Sequence, residues 1–283
     1  MKNSNPLKKI AKIGVNQIQD LAVLLGRGLN LIDFPVPPNS SMRKTSSRSI
    51  RHYYVSGIRS CLPIAVAALR EGVALEKNIN VLDFGCGVGR QLLHFTRDYP
   101  NPTYHACDID DSSIAFIARN YPSVQARVNR FTPPLDYGTG FFDLVYSVSI
   151  FSHLNLEDQA AWLSELGRVV KPGGYCMLTT EGYTALRSLA GNFGRNPLEL
   201  DTELAQKGYL FKEYDGWQEE VKNQNVMKLA SQMVGVERSY GNTVLSPAFI
   251  GRNWNNDLFE VVSILEGVID TRQDLVVLRR RVS

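Results

Sequence analysis

With 283 residues, 44% of them hydrophobic, the chain is long enough to bury a full core and too apolar for wholesale disorder. Its four cysteines fall at no metal or redox spacing and read as reduced thiols of a cytoplasmic protein, and no apolar run reaches membrane-spanning length. Net charge is +3, yet residues 1–70 hold eleven Lys/Arg against Asp20 and Asp33, so a basic N-terminal segment precedes an acidic remainder.

In chain order, Leu7, Ile10, Ile13, Ile18, Leu21 and Leu25 trace one face of a helix, with Lys8, Lys9 and Lys12 on its first turns. Such a basic face suits an anionic acceptor, an acidic surface of the chain's own core, or peripheral membrane contact through residues 1–30. Pro35, Pro37 and Pro38 end the element, and 39–49 is a serine-rich basic loop. Residues 50–70 return to helical character despite Pro63. Together, 1–70 form a basic helical cap, followed by one domain over 71–283.

That domain opens on Val81-Leu82-Asp83-Phe84, an apolar run of strand length, followed by Gly85-Cys86-Gly87-Val88-Gly89-Arg90. Three alternating glycines permit a sharp turn and close approach of a ligand to the backbone. Leu92, Leu93, Phe95 and Thr96 then keep helical spacing until Pro100. Strand, glycine turn and helix start make a nucleotide-sized seat, and Asp108 ends the next apolar run where a ribose-binding carboxylate belongs. The glycine spacing is not that of a dinucleotide site and points to a different nucleoside cofactor.

Beyond Asp108 the pattern alternates: a helix over 111–120 behind Asp110, a strand over 124–128, a strand over 142–149, a helix capped by Asn155 with Asp158 at the capping-box position, and a strand over 175–180 after Pro172-Gly173-Gly174. Strands alternating with helices predict a parallel α/β sheet. Residues 182–257 read as an insertion of turns and short helices on the substrate side, with Phe193, Tyr209, Phe211, Tyr214 and Trp217 as pocket or packing aromatics. Residues 258–265 and 274–278 read as a terminal hairpin.

Residues 81–90, Cys107-Asp108-Ile109-Asp110, 142–147 and 166–174 resemble, in order and spacing, the motifs of class I S-adenosylmethionine-dependent methyltransferases. The resemblance covers about 79–181 and is looser at the tail, where similar hairpins occur in bacterial enzymes acting on small molecules and glycans. It implies a doubly wound Rossmann-like sheet of seven strands with an antiparallel last strand. It assigns cofactor contacts to Asp83, Gly85, Cys86, Gly87, Gly89, Arg90, Asp108, Ile109, Asn129 and Ser147. Asp108 would take the ribose hydroxyls and Ile109 the adenine face. Asn129 stands where the family often has an acid for the adenine amine, and an amide oxygen can accept there too.

Methyl transfer needs alignment of the acceptor, exclusion of water and, for an oxygen nucleophile, removal of a proton. His153, just beyond the fourth strand, is the candidate base; His94 and His105 fall in core elements, and His52 beside two tyrosines suits a lid. The nucleic-acid amino-methyltransferase signature is absent, because Ser147-Val148-Ser149-Ile150 occupies its position, so no nucleic-acid acceptor is expected. A catechol-type metal would want a carboxylate where Ser147 stands, so no metal is expected either. The leading expectation is O-methylation of a small molecule or sugar. A membrane-proximal substrate and a catalytically silent cofactor binder are the alternatives.

Overall fold

The computed structural model describes residues 34–38, 42, 49–214 and 240–282. The N-terminal helix expected over 7–25 and most of the serine-rich loop lie outside these residues, as does Trp217.

Helix α1 (Ile50–Arg70) starts at Ser49, whose side chain accepts from the His52 backbone N–H, and continues through Pro63. Strand β1 (Asn80–Phe84), helix α2 (Leu92–Asp98), strand β2 (Thr103–Asp108), helix α3 (Asp111–Asn120) and strand β3 (Gln125–Val128) follow. Asp110 stands at the N-cap of α3, but its carboxylate accepts from the hydroxyls of Ser112 and Ser113 rather than from a backbone N–H of the helix. Strand β4 (Phe142–Ser147) leads through a turn to helix α4 (Leu156–Val169), whose Asn155 cap accepts from Asp158 N–H at 2.9 Å.

Strands β1 to β4 are mutually parallel in the order β3-β2-β1-β4. Strand β5 (Val170–Glu181) extends the sheet in parallel and begins five residues before the expected strand. Its Lys171–Gly174 stretch is an irregularity within the strand: the pairing passes from Phe142↔Val170 to Leu144↔Tyr175. Strands β8 (Phe259–Ile269) and β9 (Gln273–Arg280) form the expected hairpin. Strand β9 runs antiparallel to β5 from Tyr175↔Arg279 to Glu181↔Gln273, so the core order is β3-β2-β1-β4-β5-β9-β8 with β9 reversed.

The insertion differs from its sequence reading. Helices α5 (Tyr183–Phe193) and α6 (Pro197–Lys207) are two full three-turn helices that end on left-handed Gly194 and Gly208. Strands β6 (Tyr209–Glu213) and β7 (Gly241–Leu245) then form an antiparallel ribbon attached to the sheet through Glu181↔Val244. Helix α7 (Pro247–Asn253) follows, capped by Ser246. The ribbon is not legible in the sequence because its paired residues lie far apart, 28 positions at Glu213↔Gly241 and 36 at Tyr209↔Leu245, too far for a hairpin turn to announce them.

The sheet separates two apolar layers. One packs α1, α2 and α3 against Val81, Leu144, Tyr146, Met177, Leu275 and Val277. The other packs α4 and α7 against Leu82, Phe84, Val145, Leu178 and Val276. Helix α1 contributes Tyr53, Ile64 and Ala68, each fully buried, so the expected boundary at residue 70 falls inside a continuous core. Helices α5 and α6 close a third, smaller cluster with Leu210 and Val244.

Candidate functional site

Parallel strands place their carboxyl ends at one edge, and the loops leaving that edge build the site. Gly85, Gly87 and Gly89 have φ of +79°, +50° and +77°, a region costly for side-chain-bearing residues. A Cβ on Gly85 would lie 2.4 Å from the Ile150 side chain, and one on Gly89 would lie 2.6 Å from Ile117. The turn is held on β2: Gly85 and Cys86 N–H both donate to the Cys107 carbonyl. Asp108 completes the cradle, since Oδ2 accepts from Gly87 N–H at 2.7 Å and Oδ1 from Asp110 N–H at 2.8 Å. The carboxylate thus fixes the glycine turn to the end of β2.

Helix α1 clamps the same turn from above. The Tyr53 hydroxyl donates to the Val88 carbonyl at 2.9 Å, and Gly57 lies so close that a Cβ there would meet the Arg90 carbonyl at 2.6 Å. Arg90 reaches the Ser56 hydroxyl of this helix, and burial lowers its pKa. Beneath the turn, Asp83 is 2% exposed and its Oδ2 has no partner. Burial raises its carboxyl pKa to about 8; neighbouring Tyr146 and Arg90 oppose the rise and Asp108 adds to it.

Asn129 continues the cofactor side. Its N–H donates to the Asp108 carbonyl and its Nδ2 to the Arg130 carbonyl, while its buried Oδ1 lacks a donor. Ile109 is half-buried against the α4 layer. Ser147 and Cys86 sit deeper: Ser147 is fully buried with its hydroxyl donating to the Phe84 carbonyl, and the buried Cys86 thiol donates to the Gly87 carbonyl. Both brace the turn from behind.

His153 stands one turn away. Ile150, which covers Gly85, accepts at its carbonyl from His153 N–H, so one tight turn links cofactor cradle and candidate base. Nδ1 lies 3.0 Å from the Gly241 carbonyl oxygen and 2.8 Å from the Tyr214 hydroxyl. A carbonyl can only accept, so Nδ1 carries the proton and Nε2 presents the lone pair. Burial lowers the His153 pKa and keeps the ring neutral at pH 7. Tyr214 and Tyr240 pack around it, and the Asp108 charge is felt at Tyr240. His94 and His105 are both 1% exposed within the core; His94 bonds the Tyr54 carbonyl and His105 is wedged among Tyr137, Phe141 and Phe142.

A polar row that sequence reasoning missed runs along the same edge. Ser149, at φ +62°, exchanges hydrogen bonds with the Gln273 amide at 2.9–3.1 Å. Gln273 pairs in register with Glu181, whose carboxylate is ion-paired to Arg272. Glu181 is 1% exposed, its second oxygen lacks a partner, and burial raises its pKa. On the opposite face Asp274, raised to about 6 by burial, keeps one unpartnered oxygen beside Gly182. No local motif marks this row, because Ser149 and Gln273 are 124 residues apart.

Comparison with known proteins agrees with this geometry. Residues 81–174 match a family model described as a methyltransferase domain. Over 137 residues the chain is 28% identical to a 2-methyl-6-phytyl-1,4-hydroquinone methyltransferase of Synechocystis, covering 44% of this chain and 39% of that protein. It is 24% identical over 124 residues to a zebrafish (Danio rerio) tRNA N(3)-cytidine methyltransferase, covering 41% of this chain and 35% of the relative. The chain therefore spans about two fifths of the length of these curated relatives. The solved structure of PH0226 from Pyrococcus horikoshii shares the fold at 17% identity and a TM-score of 0.52, covering 81% of this chain and 91% of that one.

Proposed function

We propose that the chain, carrying its methyltransferase domain over residues 81–174, is an enzyme that moves a methyl group from S-adenosylmethionine to a hydroxyl of a small-molecule or sugar acceptor. The observation that carries the cofactor reading is the unfilled Asn129 acceptor beside the glycine turn. Asn129 Oδ1 is buried without a donor, and the Asp108 carboxylate stands beside three glycines whose conformations leave the backbone open to close approach. An adenine amine suits the first and ribose hydroxyls the second.

Bound there, S-adenosylmethionine supplies an electrophilic methyl on a sulfonium. The chain's own residues then have three tasks. Asp108 and the glycine turn hold the nucleoside, and α1 covers the turn through Tyr53. Orientation of this kind can supply about 7–11 kcal/mol of the barrier. His153, protonated at Nδ1 by its bond to the Gly241 carbonyl, offers Nε2 to take a hydroxyl proton, worth roughly 10²–10⁴-fold. The Asp108 carboxylate at this edge favours a neutral acceptor over an anionic one. The two curated relatives act on a hydroquinone and a tRNA by name, and each match covers less than half of this chain. Acceptor choice is therefore read from the edge residues of this chain instead.

The test is calorimetry with S-adenosylhomocysteine on wild type, Asp108→Ala and Asn129→Leu. Loss of the charge-assisted ribose bonds costs about 1.5–3 kcal/mol, so Asp108→Ala should bind roughly ten- to a hundredfold more weakly. Asn129→Leu should lose about fivefold and also its preference over an analogue lacking the adenine 6-amine. Unchanged affinity in both folded variants would remove the cofactor from this edge.

A further inference from the structure

Helix α1 serves the site with one face and shows a different chemistry on the other. Ile58, Leu62, Val66 and Leu69 are 38%, 60%, 48% and 48% exposed. Steps of four, four and three residues, at about 100° each, keep all four within one narrow stripe. Arg51 falls on the same line at the start of the helix, and Arg59 and Arg70 lie along one edge of it; all three are exposed. No Asp or Glu occurs anywhere in the helix, Ile50–Arg70. Arg59 stands 3.7 Å from Asp270 in a solvent-exposed pair; among the described residues Arg51 and Arg70 have no ion-pair partner.

An apolar stripe whose only charged neighbours on its own helix are arginines is not an ordinary solvated face, which mixes both signs. Nor does it suit a second copy of itself. An antiparallel pairing of two α1 helices brings Arg51 against Arg70, and a parallel one brings like against like. The stripe also cannot span a bilayer: among the described residues no helix is long and apolar enough to do so. What satisfies both features is a surface that is apolar just below a layer of negative charge.

We infer that the outer face of α1 docks in the plane of an anionic membrane, with Ile58, Leu62, Val66 and Leu69 entering the acyl boundary and Arg51, Arg59 and Arg70 meeting lipid phosphates. The opposite face of the helix stays on the glycine turn through Tyr53 and Gly57, so the docked helix is the one that covers the cofactor seat. Membrane contact through residues 1–30 would be a separate surface, outside the described residues. Docking does not depend on methyl transfer.

Flotation of the full chain with phosphatidylcholine vesicles, with and without phosphatidylglycerol, tests this. The chain should float with the phosphatidylglycerol vesicles and lose partitioning as salt rises. Leu62→Glu should lower partitioning about tenfold or more, and Arg51→Glu and Arg70→Glu about fivefold each or more. Leu62 is 60% exposed, so Leu62→Glu should keep the wild-type melting temperature and S-adenosylhomocysteine affinity, and Leu62→Ser should show an intermediate loss. Failure of the wild type to float overturns the inference. So does undiminished flotation of Leu62→Glu alongside loss in a full-length Lys8→Ala, Lys9→Ala, Lys12→Ala variant, which assigns the contact to the N-terminal segment. A sedimenting dimer that Leu62→Glu dissolves, with no vesicle binding, would make the stripe a protein interface.

Discussion

Asp83 gives the cofactor site a proton linkage that can be measured without knowing the acceptor. Its carboxyl lies beneath the glycine turn, 2% exposed, with pKa raised by burial to about 8. In the cofactor-free protein at pH 7 it is therefore mostly protonated. S-adenosylmethionine brings a sulfonium and an ammonium, and a cation nearby favours the carboxylate. Binding at pH 7 should then release most of a proton per site, and affinity should rise as pH rises toward about 8. Calorimetry in two buffers of different ionisation enthalpy reads the released proton directly, and Asp83→Asn should release none and bind with a flat pH profile. The same shift has a stability consequence of defined sign. The folded pKa lies above the unfolded one, so the cofactor-free protein loses stability as pH rises from about 4 to 8, by about 5 kcal/mol at most. Asp83→Asn should thus gain on the wild type across that window. A wild type that exchanges no proton on binding, or a variant that keeps the wild-type pH profile, would refute the linkage.

Two further outcomes follow from the geometry. His153→Ala should lower kcat for a methylated acceptor by roughly 10²-fold or more with cofactor affinity preserved, and higher pH should restore part of the rate; near-normal kcat across pH would make the ring a brace for Gly241. Gly57→Ala forces a Cβ to within 2.6 Å of the Arg90 carbonyl, so it should lift α1 from the glycine turn, cost about 1–3 kcal/mol in thermal unfolding and weaken S-adenosylhomocysteine binding, whereas unaltered stability would show that the helix is loosely seated.

Some of this protein was written locally. The strand, glycine turn and helix of 80–98 follow from apolar periodicity and from glycines that alone tolerate positive φ at 85, 87 and 89. The caps at Asn155 and the alternation of strand and helix to residue 169 were likewise legible, because each rests on neighbours within a few residues. The cradle residues Asp108 and Asn129 stood at positions the strand ends dictate.

What tertiary structure alone decided depends on partners distant in sequence. The β6–β7 ribbon pairs strands that no tight turn announces, and β5 carries Lys171–Gly174 within its run because Val170 pairs with Phe142 before the irregularity. Pairing of Glu181 with Gln273 brings Ser149, Gln273, Glu181 and Arg272 to the edge beside Gly85. Helix 50–70 looked like part of a separate cap, since its pattern shows an apolar face but not which surface receives it. Only the fold reveals that Tyr53 and Gly57 seat it on the glycine turn, while Leu62 and Val66 are left outside. Periodicity records that a side chain is apolar; burial is settled by what the rest of the chain puts against it.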